Sequence, residues 1–140
     1  MAIKVKQEHI DQIRKHGEET YPHECCGFLF GRNEEGANVL CEVYRAENER
    51  EDSRHNRYLI TPDQYRRADK EARARGLGII GYYHSHPDHP ARPSEFDLDH
   101  SCWPGESYII VSIEQGKAAA LNSFTKPDYT HFEQEEIVME

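Results

Sequence analysis

The chain has 140 residues, a net charge of −9, and 36% hydrophobic against 31% charged residues. This length suits one domain with a buried core, and the acidic balance argues against a basic face for nucleic acid. The first ten residues lack the apolar run of a signal peptide, and no stretch approaches the length of a membrane span. We therefore expect a single cytoplasmic domain over residues 1–140, with neither nucleic acid nor membrane as a partner.

The cysteines argue against two further classes of protein. Cys25, Cys26, Cys41 and Cys102 are too few and too irregularly spaced for a disulfide scaffold, and none forms the C-x-x-C pair of a zinc ribbon. We interpret Cys25 and Cys26 as small packing residues, because an isolated thiol behaves as a small apolar group in a core. The pattern assigns Cys102 no role.

The N-terminal half predicts a strand, a helix and a hairpin. Ile3 and Val5 alternate with polar neighbours, which favours a short strand. Residues 7–19 place their apolar side chains on one helical face, and the helix is expected to end before Pro22. The segments CCGFLFGR and ANVLCEVYRA then predict two strands around an NEEG turn.

The C-terminal half predicts a second helix within a series of strands. YLIT favours a short strand, after which Thr61 caps a helix that has Pro62 at its first position. LGIIGYYHSH predicts a strand, and the almost wholly apolar ESYIIVSI predicts one in mid-sheet. KAAALNSFTK and YTHFEQEEIV predict the last two strands. Together these elements predict an α/β fold in which helices sandwich a mixed β-sheet.

Residues 81–100 are rich in side chains that can bind a metal, with four histidines, four acidic residues and three prolines. His84 and His86 are two apart in a predicted strand, so both imidazoles project from one face. A catalytic zinc ion needs a third protein ligand and an open position. The candidates for that third ligand are Asp88, His89, Asp97, Asp99 and His100. The spacing does not decide between Asp97 and Asp99.

Structural interpretations compete with metal binding at this point. An H-x-H pair arises easily by chance in a chain with nine histidines. PSEFD is typical of a helix start, with Ser94 as the cap and Asp97 as its capping-box partner. Glu24 enters an apolar strand, where it needs a partner, and either a general base or a salt bridge would explain it.

The stretch HSHPDHPARPSEFD resembles the JAMM motif of the MPN+ metallopeptidases: H-x-H-P, six residues, serine, two residues, aspartate. An upstream glutamate completes that motif, and Glu24 in YPHECCGFLFG is similar to it in position and neighbours. The similarity continues through RYLITP, GIIGYYHSHP and WPGESYIIVSI, roughly residues 9–115. The resemblance implies a single-domain JAMM/MPN-type fold, similar to the cytidine deaminases.

The resemblance also implies a role for each matching residue. By it, His84, His86 and Asp97 would bind Zn²⁺ and leave the fourth position to water. Glu24 would be the general base that activates this water and later protonates the leaving amine. Ser94 would donate a hydrogen bond to the oxyanion.

The remaining polar residues of the stretch match no ligand position of the family. His89, Asp99 and His100 are therefore expected to be exposed to solvent or to lie behind the ligands. Asp88 and His89 also flank a proline turn, which is typical of a solvated pair.

Among members of this family, the chain most resembles the small bacterial and archaeal ones. Some of those trim the C-terminal tail of ubiquitin-like sulfur-carrier proteins down to Gly-Gly. The resemblance thus implies a zinc metallopeptidase that hydrolyses the peptide bond after the Gly-Gly of such a carrier. The alternatives are an isopeptidase on ubiquitin-type conjugates and a non-catalytic MPN scaffold, which would lack motif residues that this chain has.

The expected position of the metal at the end of the GIIGYYHSH strand suggests how the C-terminal tail of a carrier protein could bind. An extended peptide could pair with the edge of the GIIGYYHSH strand by main-chain hydrogen bonds, which favours a flexible tail over a folded loop. Glycine at the cleaved bond would suit a narrow slot, since it has no side chain to obstruct the approach.

Overall fold

The computed structural model describes residues 2–50, 54, 58–94, 97, 106–128 and 130–140. These residues form two helices and seven strands, in an order close to that predicted. The helices are α1 (Gln7–Thr20) and α2 (Pro62–Ala74). The strands are β1 (Ala2–Val5), β2 (Cys26–Glu34), β3 (Ala37–Ala46), β4 (Gly78–Pro87), β5 (Ser107–Glu114), β6 (Lys117–Thr125) and β7 (Glu133–Met139).

The strands form one mixed sheet that closes on itself in the order β1-β3-β2-β4-β5-β6-β7. β4 and β5 are parallel, β1 is parallel to both β3 and β7, and the other neighbours are antiparallel. The mixed sheet and the interior position of β5 confirm the sequence predictions. The closure into a barrel was not predicted.

The hairpin between β2 and β3 follows from its two turn residues. Glu35 and Gly36 have φ angles of 52° and 83°. A two-residue turn with both φ angles positive matches the twist of the flanking strands, and glycine adopts such an angle without strain. The turn aligns β2 with β3 from Glu34 opposite Ala37 to Gly31 opposite Leu40, and after a register shift between Gly31 and Phe30 the pairing continues to Cys26 opposite Ala46.

The two helices cover opposite faces of the sheet, because successive strand residues point to opposite sides. Leu29, Tyr83 and Ile109 share one core cluster with the apolar residues of α1. The alternate residues of the same strands form a second, more aromatic cluster with Ala68 and Ala72 of α2. The predicted sandwich of helices on a sheet is thus confirmed.

Side chains of α1 satisfy backbone groups of β3 and β6. β1 pairs with the first part of β3, and β7 pairs with the last part of β6. Beyond those pairs, His9 Nε2–H donates to the Cys41 carbonyl of β3 at 3.1 Å, and the Ala118 N–H of β6 donates to Glu18 Oε2 at 2.8 Å. These bonds anchor α1 to the barrel at both strands.

The second helix begins as predicted. Thr61 Oγ1 accepts a hydrogen bond from the Gln64 N–H at 3.3 Å, and Pro62 is the first helical residue. Basic side chains on its exposed face pair with acids one turn away, such as Arg73 with Asp69 at 3.0 Å. No helix of the described residues is long and apolar enough to cross a membrane.

The predicted strand at YLIT is wrong. Residues 58–61 have no strand conformation, because their backbone groups bind a neighbouring loop. The Leu59 N–H donates to Asn48 Oδ1 at 3.0 Å, and the Leu59 carbonyl accepts from the Glu49 N–H at 3.1 Å. The composition of YLIT favours a strand, but the contact with the distant Asn48 side chain gives these residues an irregular conformation instead.

Candidate metal centre

Three potential ligands meet where β4 ends. His84 and His86 both lie on β4, on the same face as the strand period requires, and Asp97 joins them from a later part of the chain. The three side chains are almost completely buried, with exposed fractions of 2%, 6% and 8%. Burying three polar side chains together is costly unless each has a partner, and a shared cation is one way to provide it.

The distances between the ligand atoms fit a small tetrahedral ion. His84 Nε2 lies 3.1 Å from His86 Nε2, and Asp97 Oδ2 lies 3.3 Å and 3.1 Å from these two nitrogens. A tetrahedral ion with bonds of about 2.0 Å separates neighbouring ligands by about 3.3 Å. Two nitrogens and one carboxylate oxygen are also a donor set that zinc accepts. We conclude that this group could hold a metal ion.

A hydrogen bond orients the ring of His86, and ring stacking orients that of His84. His86 Nδ1–H donates to the Pro90 carbonyl at 2.8 Å, which leaves the Nε2 lone pair for an ion. The ring of Tyr58 stacks on His84, with centroids 4.7 Å apart. Burial lowers the pKa of His84, so this imidazole is neutral at neutral pH, as a ligand must be.

Asp97 and Ser94 form the reciprocal bonds of a capping box. The Asp97 N–H donates to Ser94 Oγ at 3.0 Å, and the Ser94 N–H donates to Asp97 Oδ2 at 2.8 Å. Burial acts to raise the pKa of Asp97, but the contacts with His84 and His86 outweigh it and keep the pKa well below its usual range. Capping and ligation are therefore compatible, and Asp97 can present an ionised oxygen to both histidines.

Glu24 lies beside this cluster, two residues before β2 begins. It is 3% exposed, and its Oε1 has no hydrogen-bond partner among the described residues. Burial, and then the charge of Asp97, raise the pKa of Glu24 to about 9. Such a buried carboxyl group next to potential metal ligands is typical of a catalytic acid or base.

The other polar residues of this stretch lie apart from the cluster or outside the described residues. Asp88 and His89 are exposed. Asp88 accepts hydrogen bonds from the Tyr21 hydroxyl at 2.6 Å and the Gln115 N–H at 2.8 Å, so its role is to hold the turn. The alternative ligand Asp99, together with His100 and Cys102, lies outside the described residues.

The paired cysteines at the start of β2 are packing residues, as expected. Cys25 and Cys26 are 1% and 0% exposed. Burial raises the pKa of Cys25 to about 12 and that of Cys26 well above its usual range, so both are thiols and not thiolates at neutral pH. Buried, protonated thiols are poor nucleophiles.

Sequence reasoning missed three residues around the site. Tyr58 covers His84, Ser85 separates the two histidines, and Asn48 binds the backbone of Glu24. Ser85 could have been suspected from its place inside H-x-H. For Tyr58 and Asn48 the sequence has no corresponding signal, since both reach the site through the folding of a loop.

Comparison with known proteins agrees with this geometry. Residues 6–125 match the family model described as prokaryotic homologs of the JAB domain. A protein named desampylase, from Haloferax volcanii, is 29% identical over 106 residues, which span 73% of this chain and 74% of that protein.

Two solved structures have a similar fold. A protein from Salinibacter ruber is 44% identical, with a TM-score of 0.78, and the match covers 100% of this chain and 92% of that one. A JAB1/MPN domain protein from Archaeoglobus fulgidus is 20% identical, with a TM-score of 0.59 and 99% of both chains covered, and it supports the fold alone. The chain therefore belongs to the prokaryotic branch of the JAB family, the JAMM/MPN proteins.

Proposed function

We propose that this protein is a zinc-dependent metallopeptidase that hydrolyses a peptide bond in conjugates or precursors of ubiquitin-like proteins. The observation that carries the proposal is the buried triangle of His84, His86 and Asp97 with the buried carboxyl group of Glu24 beside it, whose Oε1 has no hydrogen-bond partner among the described residues. Family membership and the similarity to a desampylase support a hydrolase of this substrate class. A non-catalytic scaffold would not need to keep all of these groups buried together.

The ligands His84, His86 and Asp97 would hold Zn²⁺, which when bound supplies a Lewis acid and lowers the pKa of water to about 7. Glu24 accepts the proton of the attacking water and returns it to the leaving amine. Positive charge at the ligand cluster opposes the raised pKa of Glu24, so we expect an ionised base when the site is filled.

Ser94 would stabilise the developing oxyanion. Its Oγ accepts a hydrogen bond from the Asp97 N–H, so the hydroxyl hydrogen can donate to a substrate oxygen. The side chain is exposed, which allows such an approach. A donor of this kind can contribute ~10²–10³ in rate.

The strand-addition model of substrate binding needs correction. β4 pairs with β2 as far as His84 and with β5 as far as Pro87, and the Ser85 N–H also donates to the Cys25 carbonyl. A substrate strand therefore cannot pair with β4 up to His84. An extended tail must instead approach over the loops that surround the cluster.

Within this class, we propose a ubiquitin-like sulfur carrier as the substrate, cut immediately after its Gly-Gly. Glycines at the junction would let the chain approach buried ligands without a side chain in the way. A second candidate is an isopeptidase acting on ubiquitin-type conjugates, which the similarity to the desampylase favours.

Mass spectrometry can separate these candidates. The zinc-loaded protein would be incubated with a carrier extended beyond Gly-Gly, the same carrier with Ala-Ala, a carrier joined to a lysine side chain, and casein. We expect cleavage of the extended Gly-Gly carrier and little of the Ala-Ala carrier or casein. Preference for the lysine conjugate would select the isopeptidase, and equal cutting of all substrates would contradict the specificity proposed here.

A further inference from the structure

The peptide group that follows Glu24 is held by side chains at both of its ends. The Glu24 carbonyl accepts a hydrogen bond from Asn48 Nδ2 at 3.1 Å, and the Cys25 N–H donates to Ser85 Oγ at 2.8 Å. Both groups belong to the same planar peptide unit. Two bonds at opposite ends of that plane restrict its rotation.

The orientation of this plane determines where the Glu24 side chain points. Successive side chains of an extended segment point to opposite sides. Cys25 packs in the core cluster shared with α1, so Glu24 is directed to the other side of the segment, where the charge of Asp97 reaches it. Rotation of the plane would move the carboxyl group away from the ligands.

Ser85 connects the Glu24 segment to the strand that carries the ligands. It lies between His84 and His86 on β4, points to the opposite face, and is 0% exposed. Its own N–H donates to the Cys25 carbonyl at 3.2 Å, in addition to the bond that its Oγ accepts. A shift of Glu24 relative to the two histidines would break both bonds.

Asn48 makes the matching connection from the opposite side. Its Oδ1 accepts hydrogen bonds from the Arg50 and Leu59 N–H groups, both at 3.0 Å. Two donors at Oδ1 orient the amide so that Nδ2 faces the Glu24 carbonyl. Leu59 follows Tyr58, whose ring stacks on His84. Asn48 therefore connects Glu24 to the segment that packs against His84.

We infer that Asn48 and Ser85 are positioning residues that clamp the Glu24–Cys25 peptide group and thereby aim the Glu24 carboxyl group at the His84–His86–Asp97 cluster. The inference rests on the proposed function, in which Glu24 is the general base. A misplacement of about 1 Å at a reacting group can lower a rate by ~10²-fold, so the clamp would act on turnover and not on substrate affinity.

Two substitutions test the two ends of the clamp. Asn48→Asp keeps acceptors for Arg50 and Leu59 and removes the donor to Glu24, while Ser85→Ala removes the acceptor for Cys25. Both should lower kcat by ~10–100-fold and leave KM and zinc content unchanged. Thr61→Ala is the control, because it removes a hydroxyl that accepts a backbone N–H at the start of α2, and it should keep kcat.

The decisive measurement repeats both substitutions in a Glu24→Gln background. If the clamp acts through the base, Asn48→Asp and Ser85→Ala should cause no further loss of the residual rate. An equal loss in both backgrounds, a rise in KM, a loss of zinc or an unchanged kcat of Asn48→Asp would overturn the inference. Full activity of Glu24→Gln alone would instead refute the assigned base, which separates the two failures.

Discussion

Glu24 differs from another buried carboxyl group by its position beside the His84–His86–Asp97 cluster. Glu135, for comparison, is also buried and has a raised pKa, caused mainly by burial. One of its oxygens accepts a hydrogen bond from the Ser123 hydroxyl at 2.6 Å, and the other has no partner among the described residues. Glu24 Oε1 likewise has no partner among them, but Glu24 also faces the charge of Asp97. This contrast makes the role of Glu24 testable by substitution.

Glu24→Gln should retain zinc and lose activity by ~10²–10⁴-fold, because the amide keeps the shape of the side chain and cannot accept the proton. Glu135→Gln is the matched control and should remain active. Turnover and metal content would be measured on the same preparations. Loss of zinc from Glu24→Gln would show that Glu24 is a ligand or structural partner, and unchanged turnover would point to another base.

Asp97→Ala should abolish zinc binding, since it removes one of three ligands from a buried cluster and leaves two imidazoles. Asp88→Ala is a suitable comparison, because Asp88 is a nearby acid that holds a turn and is exposed. Elemental analysis of both variants after zinc loading and dialysis would measure how much zinc stays bound. Equal zinc content in the two variants would mean that the third ligand has been assigned wrongly.

A buried histidine of helix α1 makes the stability of the protein depend on pH. Its His16 Nδ1 and the Tyr83 hydroxyl of β4 are 2.7 Å apart and buried. Burial, and then the charge of Arg45, lower the pKa of His16 to about 4, against the opposing charge of Glu19. The helix is therefore packed around a neutral imidazole.

Acid should weaken this packing. Between pH 6.5 and about 4 the unfolded chain binds more protons at His16 than the folded protein, so the free energy of unfolding falls as pH decreases, by at most about 3 kcal/mol. His16→Gln should flatten this dependence in urea unfolding of the metal-free protein. The exposed His89→Gln should leave it unchanged. Equal slopes for wild type and His16→Gln would refute the assignment.

At the scale of the whole molecule, a metal ion would connect the end of β4 with Asp97. An ion that binds the folded protein alone stabilises it by mass action, about 2.7 kcal/mol at a hundredfold excess over Kd. Metal content should thus affect stability as well as activity.

The purified protein should contain about one zinc ion per chain, and a chelator should abolish hydrolysis and lower Tm by several degrees. The Asp97→Ala variant is the control, and its Tm should not respond to the chelator. Elemental analysis would measure the zinc content, and thermal melts with and without chelator would measure the change in Tm. A wild-type protein that can bind no zinc would contradict the catalytic proposal.

Most of the local structure could be predicted from the sequence, and so could the grouping of His84, His86 and Asp97 as potential metal ligands. Periodicity placed α1, α2 and the central strands, and a period of two placed His84 and His86 on one face. Capping residues such as Thr61 act on their immediate neighbours, so their effect can be deduced from a short segment. Spacing left Asp97 and Asp99 as alternatives, and the resemblance to the JAMM motif selected Asp97, which the structure places beside the histidines.

Tertiary structure alone decided the closure of the barrel, the irregular path of residues 58–61 and the position of Glu24. Each depends on contacts between residues distant in the chain, such as the bonds from Asn48 to Glu24 and Leu59. The same holds for β4, which pairs with β2 as far as His84 and with β5 as far as Pro87, so a substrate strand cannot pair with β4 up to His84. Local patterns specify which face of a strand is buried, whereas the packing of the whole chain selects the neighbour on each edge.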